Sequence, residues 1–229
     1  MKTIAIIPSG GSGLRTGLSV PKQYVKIFDK EILAYTLEVF QNCPLIDEII
    51  VPAKSGFFDV LLGIKNKFNI TKLVKVVEGG KERQHSVFNA LSAIPPDINP
   101  LIAVHDAARP LLSQNVLISA INTAKEKSNA VVAIQSKDTL VKHFQDSFDY
   151  IKRDNIYNVQ TPQIFEYNTL IEAFKFADSK NFIGTDESML VYNLGYKINI
   201  VEGSLLNFKI TNQQDIDLFK QLVSSKNAL

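Results

Sequence analysis

Two fixed cations, Arg15 and Lys22, follow a glycine-rich stretch, Ser9-Gly10-Gly11-Ser12-Gly13, which itself follows the first apolar run and Pro8. Glycines carry no Cβ, so their backbone N–H groups can close around phosphate oxygens, and the two side chains can bring positive charge to the same anion. That chemistry is binding of a nucleoside triphosphate. Two better-known glycine loops do not fit. The Walker pattern of Gly, four residues and Gly-Lys-Ser/Thr is absent. The dinucleotide pattern would put its third glycine at Thr16, and Pro21 would interrupt the helix that has to follow. The glycines alone fit an ordinary turned loop equally well; Arg15 and Pro21-Lys22 tip the reading toward an anion.

Further clusters can carry chemistry. In His105-Asp106-Ala107-Ala108-Arg109-Pro110, the Asp106 carboxylate follows an apolar run, where it either holds a divalent cation that bridges phosphates or makes an ion pair. Arg109 binds an anion or neutralises Asp106. His105 reads as a packing or orienting residue, since no nucleophilic Ser or Cys partners it. In Glu78-Gly79-Gly80-Lys81-Glu82-Arg83-Gln84-His85-Ser86 the glycines let backbone approach a flat base and the Ser86 hydroxyl can read its edge; the plainer reading is a turn and a charged first helical turn. Arg153 and Lys209 are either ligand-binding cations or solvated strand charges. Thr161-Pro162-Gln163 reads as a rigid turn, and Gly184-Thr185-Asp186-Glu187 as a helix cap.

The elements that must position these residues follow from hydrophobic periodicity. Strand-length apolar runs at 3–7, 48–51, 73–77, 101–104 and 130–134 alternate with amphipathic stretches such as Ile32, Leu33, Thr36, Leu37 and Phe40. The alternation predicts an α/β fold, a mostly parallel sheet between two layers of helices. Ligands in such folds bind beyond the carboxyl ends of the strands, where segments 9–24, 78–83 and 105–110 all fall. After Ser136, short strand-like pieces at 138–141 and 150–153 flank a polar turn and predict a protruding hairpin, an arm at about 137–156. An isolated hairpin is marginal in water, so it needs a partner surface, and a second copy is the simplest source. Helices at 167–177 and 186–194, strands at 197–201 and 207–211, and a helix after Gln213 complete a single predicted domain spanning 1–229.

Composition removes other classes. A formal charge of +2 with lysines scattered along the chain is too mild for a nucleic-acid surface. The lone Cys43 excludes an intramolecular disulfide and fits a reducing compartment. No apolar run reaches membrane-spanning length, and the N-terminal run is too short for a signal peptide, so a cytoplasmic enzyme is expected.

Taken together, Gly11-Ser12-Gly13 with Arg15, Pro21-Lys22-Gln23-Tyr24, Gly79-Gly80 with Arg83 and Ser86, His105 to Pro110, Lys137-Asp138-Thr139, Arg153, Thr161-Pro162-Gln163, Thr185-Asp186, Val201-Glu202-Gly203 and Asn207 to Thr211 resemble the sugar- and polyol-phosphate cytidylyltransferase family. Within it, the closest resemblance is to the 2-C-methyl-D-erythritol 4-phosphate cytidylyltransferases. It covers nearly the whole chain and implies a Rossmann-like three-layer nucleotidyltransferase fold whose hairpin is a dimerisation arm. It also implies that CTP with Mg²⁺ meets a polyol phosphate on the sheet rim.

By the family pattern Arg15, Lys22, Arg153 and Lys209 are catalytic. Pro8, Ser9, Gly10, Gly11, Ser12, Gly13, Gly79, Gly80, Arg83, Ser86 and Asp106 bind nucleotide. Asp106, Arg109, Thr139, Arg153, Thr185 and Lys209 bind the polyol phosphate, Asp106 also reaches the metal, and Thr139 and Arg153 serve the neighbouring subunit. The chain departs from the pattern at Ser9-Gly10, where Ala-Ala is common, at Thr16, at Ser188-Met189 and at Leu206. The nearest rival is a ribitol 5-phosphate cytidylyltransferase, which tends to carry a bulkier residue where Ala108 stands. A silent nucleotide-binding module has no need for cations on both sides of a reacting bond.

Overall fold

A computed structural model describes residues 1–11, 20–95, 98–144 and 147–227. Its centre is a seven-stranded sheet in the order β11-β7-β10-β6-β1-β4-β5. These strands are β1 (Thr3–Ile6), β4 (Glu48–Ala53), β5 (Leu73–Glu78), β6 (Leu101–Val104), β7 (Asn129–Gln135), β10 (Tyr157–Glu166) and β11 (Ile200–Glu202). All neighbours run parallel except β10, which is antiparallel to both β6 and β7.

Strand alternation explains the layers, because successive side chains point to opposite faces. Ala5, Ile49, Val51, Ala103 and Val132 pack under α1 (Ile32–Gln41), α2 (Phe58–Lys67) and α4 (Gln114–Lys127). Ile4, Ile6, Ile50, Ile102, Val104 and Val131 pack under α3 (Arg83–Ser92), α5 (Tyr167–Ser179) and α6 (Glu187–Asn193). A third apolar cluster joins Ile27 and Ile32 to Ile210 and to Ile216, Phe219 and Val223 of α7 (Gln213–Asn227). The C-terminal helix thereby closes against the segment that carries Lys22. That segment includes a small hairpin, β2 (Lys26–Ile27) with β3 (Lys30–Glu31).

The chain leaves β1 toward β4 and later returns to its other side with β6. Strand order therefore reverses beside β1, and the crevice at such a reversal is where ligands sit in open α/β sheets. Residues 7–11 and 105–110 leave the sheet at that crevice.

Three expectations need correction. The turn at Thr161-Pro162-Gln163 lies inside β10, with a cis Thr161–Pro162 bond and a shift of register between Val159 and Gln163. A proline is tolerated within a sheet where the ladder is interrupted, and this is such a place. Residues 207–211 do not form a strand; the segment is a loop, and of the strand expected at 197–201 only Ile200 and Val201 enter the sheet, in β11. The protruding hairpin is present but shifted, as β8 (Leu140–Phe144) paired with β9 (Ser147–Ile151) in a sheet of its own, and Arg153 falls in a short helical turn after it.

Candidate active site

The first wall of the site is the segment after β1, where backbone pairing continues past the strand: Ile7 N–H donates to Ile50 O at 3.0 Å and Ser9 N–H to Pro52 O at 2.8 Å. The short helical turn Lys22–Tyr24 then clamps this segment. The buried Gln23 amide donates to Ser9 O at 2.6 Å and Gly11 O at 3.0 Å. The Tyr24 hydroxyl is 2.9 Å from Ser9 Oγ, and its ring stacks on Phe57 with centroids 4.2 Å apart. Burial pushes the Tyr24 phenol up to about 12, with the Ser9 hydrogen bond opposing, so the phenol stays neutral. Lys22 is thus carried on a turn anchored on both sides. Ser12, Gly13, Arg15 and Thr16 lie outside the described residues.

The second wall is the β5–α3 turn. Gly79 N–H donates to Ala53 O at 2.7 Å. At Gly80 a Cβ would lie 2.2 Å from the Cβ of His85, so packing within the turn already requires glycine there. Ser86 Oγ accepts from Gly80 N–H at 2.9 Å and donates to Glu82 O at 3.1 Å, which makes the hydroxyl a fastener of the turn. Glu82 and His85 form a capping box at the start of α3.

The third wall is the end of β6, and it holds the charges. Asp106 Oδ1 accepts from Arg83 Nε at 3.2 Å, while Oδ2 meets Arg109 Nε at 3.1 Å and Lys209 Nζ at 3.1 Å. Arg83 also places Nη1 and Nη2 on the two oxygens of Glu187, at 2.7 and 3.0 Å. Burial works against the Asp106 charge, and Arg83, Lys209 and Arg109 outweigh it, holding the carboxyl well below the ordinary carboxylate range. Burial likewise works against the charge of Arg83, and Glu187 and Asp106 outweigh it. Three cations face two carboxylates, so the cluster keeps one net positive charge.

His105 lies behind this cluster, fully buried, with Nε2 3.1 Å from Arg109 O and Nδ1 3.0 Å from Thr161 Oγ1. Burial lowers its pKa to about 4, so the ring is neutral. A carbonyl can only accept, which puts the proton on Nε2. Thr161 then donates to Nδ1 and accepts from Asp106 N–H at 3.1 Å. His105 is an orienting residue, as its lack of a nucleophilic partner suggested. The cis-proline segment thereby fixes the backbone of Asp106.

Lys209 arrives on the loop after β11. Asn207, fully buried, donates to Gln160 Oε1 at 3.1 Å and Thr161 O at 2.8 Å. Arg109 Nη1 donates to Asn207 O at 2.8 Å, and Ile210 N–H to Ala108 O at 2.9 Å. Contacts from β10 and from the segment after β6 therefore shape this loop, which explains why it needs no ladder.

The three walls enclose a cleft of about 660 Å³. Pro8, Gly10, Gly11, Lys22, Gly80, Arg83, Ser86, Asp106 and Lys209 line it, and Ser9, Gly79 and Arg109 touch lining residues from behind. Lys54, at the end of β4, also lines it and was not anticipated; its place at a strand's carboxyl end was the available signal. A match to the family model for 2-C-methyl-D-erythritol 4-phosphate cytidylyltransferase spans residues 3–225. The chain belongs to this family.

A 2-C-methyl-D-erythritol 4-phosphate cytidylyltransferase of Clostridioides difficile is 39% identical over 222 residues, covering 96% of this chain and 92% of that one. A crystal structure of the Anaerococcus prevotii 4-diphosphocytidyl-2C-methyl-D-erythritol synthase superposes with a TM-score of 0.85 at 29% identity, over 97% of this chain and 98% of that one. The Francisella tularensis 2-C-methyl-D-erythritol 4-phosphate cytidylyltransferase superposes with a TM-score of 0.82 at 32% identity, over 96% and 99%. The chain is accordingly a nucleotidyltransferase with a Rossmann-like, mostly parallel sheet.

Not every residue expected to act in this cytidylyltransferase reaches the cleft of its own chain. Thr139 and Arg153 are exposed at the base of the hairpin, just before β8 and just after β9, where Arg153 Nη1 donates to Lys137 O. Thr185 is exposed just before α6, whose N-terminus Asp186 caps by accepting from Met189 N–H at 2.9 Å. Among the described residues no group of three or more His, Cys, Asp or Glu is placed to hold a metal. Asp106 already receives three donors, and a carboxylate offers about four acceptor positions. One position remains, enough to touch an ion carried by phosphates and too little to hold one alone. That fits Mg²⁺, which keeps several waters and relies on substrate phosphates. No helix among the described residues is long and apolar enough to cross a membrane.

Proposed function

We propose that this cytidylyltransferase joins CTP and 2-C-methyl-D-erythritol 4-phosphate in the cleft between β1 and β6, with cations from distant parts of the chain gathered on the reacting phosphorus. An oxygen of the polyol phosphate attacks the α-phosphorus of CTP. The bond from that phosphorus to the β-phosphate oxygen breaks, and pyrophosphate leaves with the electron pair. The product is 4-diphosphocytidyl-2-C-methyl-D-erythritol. The nucleophile is already an anion, so no strong base is needed; the obstacle is repulsion between two anions, which preorganised cations reduce most in the transition state.

The observation that carries this reading is that Lys22 and Lys209, from opposite ends of the chain, line one cleft around the net-positive Asp106 cluster. Lys22 and Arg15 would stabilise the pentavalent phosphorus. Lys209, with Asp106 and Arg109 behind it, would receive the polyol phosphate. The backbone of Gly10, Gly11 and Gly80 would face the nucleotide, with Ser86 beneath. Mg²⁺ would enter on the triphosphate and withdraw charge from it, with Asp106 contributing its one remaining acceptor position. Ala107 and Ala108, both small and lining the cleft beside Asp106, leave room for the methyl branch of the polyol.

The arm supports a dimer in which Arg153 and Thr139 complete the neighbour's site. Phe148 and Tyr150 stand 61% and 78% exposed, beside the exposed Val141 across the ladder, on one face of a two-stranded sheet that does not join the main one. Such a hairpin is marginal by itself and its apolar face calls for a partner. CTP and phosphorylated polyols are intracellular metabolites, which goes with a cytoplasmic site of action and with the whole chain working as one catalytic unit.

The test is pyrophosphate release from CTP and Mg²⁺, with methylerythritol phosphate and ribitol 5-phosphate offered in turn. Turnover confined to methylerythritol phosphate is expected. Turnover confined to ribitol 5-phosphate would refute the substrate, and CTP binding without turnover on either acceptor would favour a silent binding module.

A further inference from the structure

Glu187 is 1% exposed and does not line the cleft, yet both of its oxygens are committed to Arg83. We infer that Glu187 is a positioning residue for the polyol side of the site, acting through Arg83 on Asp106. The inference rests on the reading that Asp106 and Lys209 serve the polyol phosphate.

The geometry is a relay of fixed planes. A guanidinium gripped by two parallel hydrogen bonds has little freedom to turn. With Nη1 and Nη2 held by Glu187 at 2.7 and 3.0 Å, Arg83 presents only Nε to Asp106, at 3.2 Å. Asp106 Oδ1 is thereby spoken for and Oδ2 is left to Arg109 and Lys209. Without Glu187, Asp106 would be the only carboxylate among the described residues left paired with Arg83. The fork of Arg83 would then turn onto both Asp106 oxygens and compete with Lys209.

Docking of α6 does not explain the buried charge. The helix is already anchored by its Asp186 cap, by Ser188 N–H donating to Gln163 Oε1 at 2.8 Å, and by buried Leu190 and Val191. The loop before it is held by Gln84, which donates to Phe182 O at 3.1 Å and accepts from Gly184 N–H at 2.8 Å. Burying a carboxylate costs several kcal/mol before its partner repays it, and an apolar residue would dock the helix without that cost. What the charge adds is control of Arg83.

The experiment compares steady-state kinetics of the wild type, Glu187→Gln and the double variant Glu187→Gln with Arg83→Met, alongside their melting midpoints. Glu187→Gln is expected to raise KM for methylerythritol phosphate about tenfold, the scale of one charge-assisted hydrogen bond, while KM for CTP stays within about twofold. The double variant removes both charges of the pair and is expected to recover the melting midpoint but not the polyol KM. If stability and polyol KM recover together, Glu187 is only structural and the inference fails. It fails equally if a folded Glu187→Gln keeps the wild-type polyol KM, or if both KM values rise in parallel. A wild type without turnover on methylerythritol phosphate would instead bring down the reading of the site on which the inference stands.

Discussion

The rim of the sheet and the protruding arm handle polar and apolar groups in opposite ways. On the rim, Asp106, Glu187, Gln23 and Asn207 are buried, and each is hydrogen-bonded to a segment distant in sequence that borders the same cleft: Arg83, the residues after β1, or β10. On the arm, β8 and β9 pair only with each other, and their aromatic residues face outward. The rim is tied together by contacts within one copy of the chain; on the proposed reading the arm meets a second copy. Rim variants should therefore alter chemistry at every enzyme concentration, whereas arm variants should tie activity to concentration.

The largest effect is expected at Lys22. On the proposed mechanism Lys22→Ala removes a charge that stabilises the transition state and should lower kcat about a hundredfold, or about 3 kcal/mol, without dependence on dilution. A fall that reverses at high enzyme concentration would blur the contrast between the two regions.

The rim is also the place where pH should act on stability. The His105 pKa is lowered from 6.5 in an unfolded chain to about 4 in the fold. Between those values the unfolded state binds the extra proton, so stability is full above pH 6.5 and is lost as pH falls toward 4, by about 3 kcal/mol in all. Urea midpoints across that interval should decline for the wild type and stay flatter for His105→Gln. Equal slopes would mean that His105 is not the buried neutral ring described.

Smaller effects belong to the arm. Arg153→Ala should raise KM for the polyol phosphate about tenfold, the scale of one lost charge-assisted contact, and leave KM for CTP nearly unchanged. Tyr150→Asp, placed on the exposed face, should make specific activity fall on dilution as sedimentation shifts toward the monomer. Undiminished activity in a clean monomer would show that the arm has no part in the chemistry.

The same contrast governs what could be read before any coordinates. Strands such as β6 were plain because an unbroken apolar run ends at a charged motif, and the convergence of Lys22, Gly80 and Asp106 followed from the rule for strand ends. β10 was hidden because Gln160, Thr161, Pro162 and Gln163 interrupt its alternation, and most of their polar atoms are satisfied by distant partners such as Asn207 and Ser188. Residues 207–211 alternate like a strand because Ile210 enters the third apolar cluster while Lys209 faces Asp106, with no ladder involved. Glu187 looked like part of a helix cap. Its partner Arg83 is 104 positions away, and no local pattern announces a pair formed only by folding.

The most direct test of the account is complementation between two impaired chains, assayed with polyol phosphate well below KM. Lys22→Ala and Arg153→Ala are co-expressed with different tags, and the heterodimer is purified through both. If cleft and arm from different copies build one site, one of the two sites in the heterodimer carries Lys22 on its own chain and Arg153 on the neighbour's, and about half of wild-type activity should return. If the arm serves its own chain, both sites remain defective, and a heterodimer no more active than its parents would contradict the account.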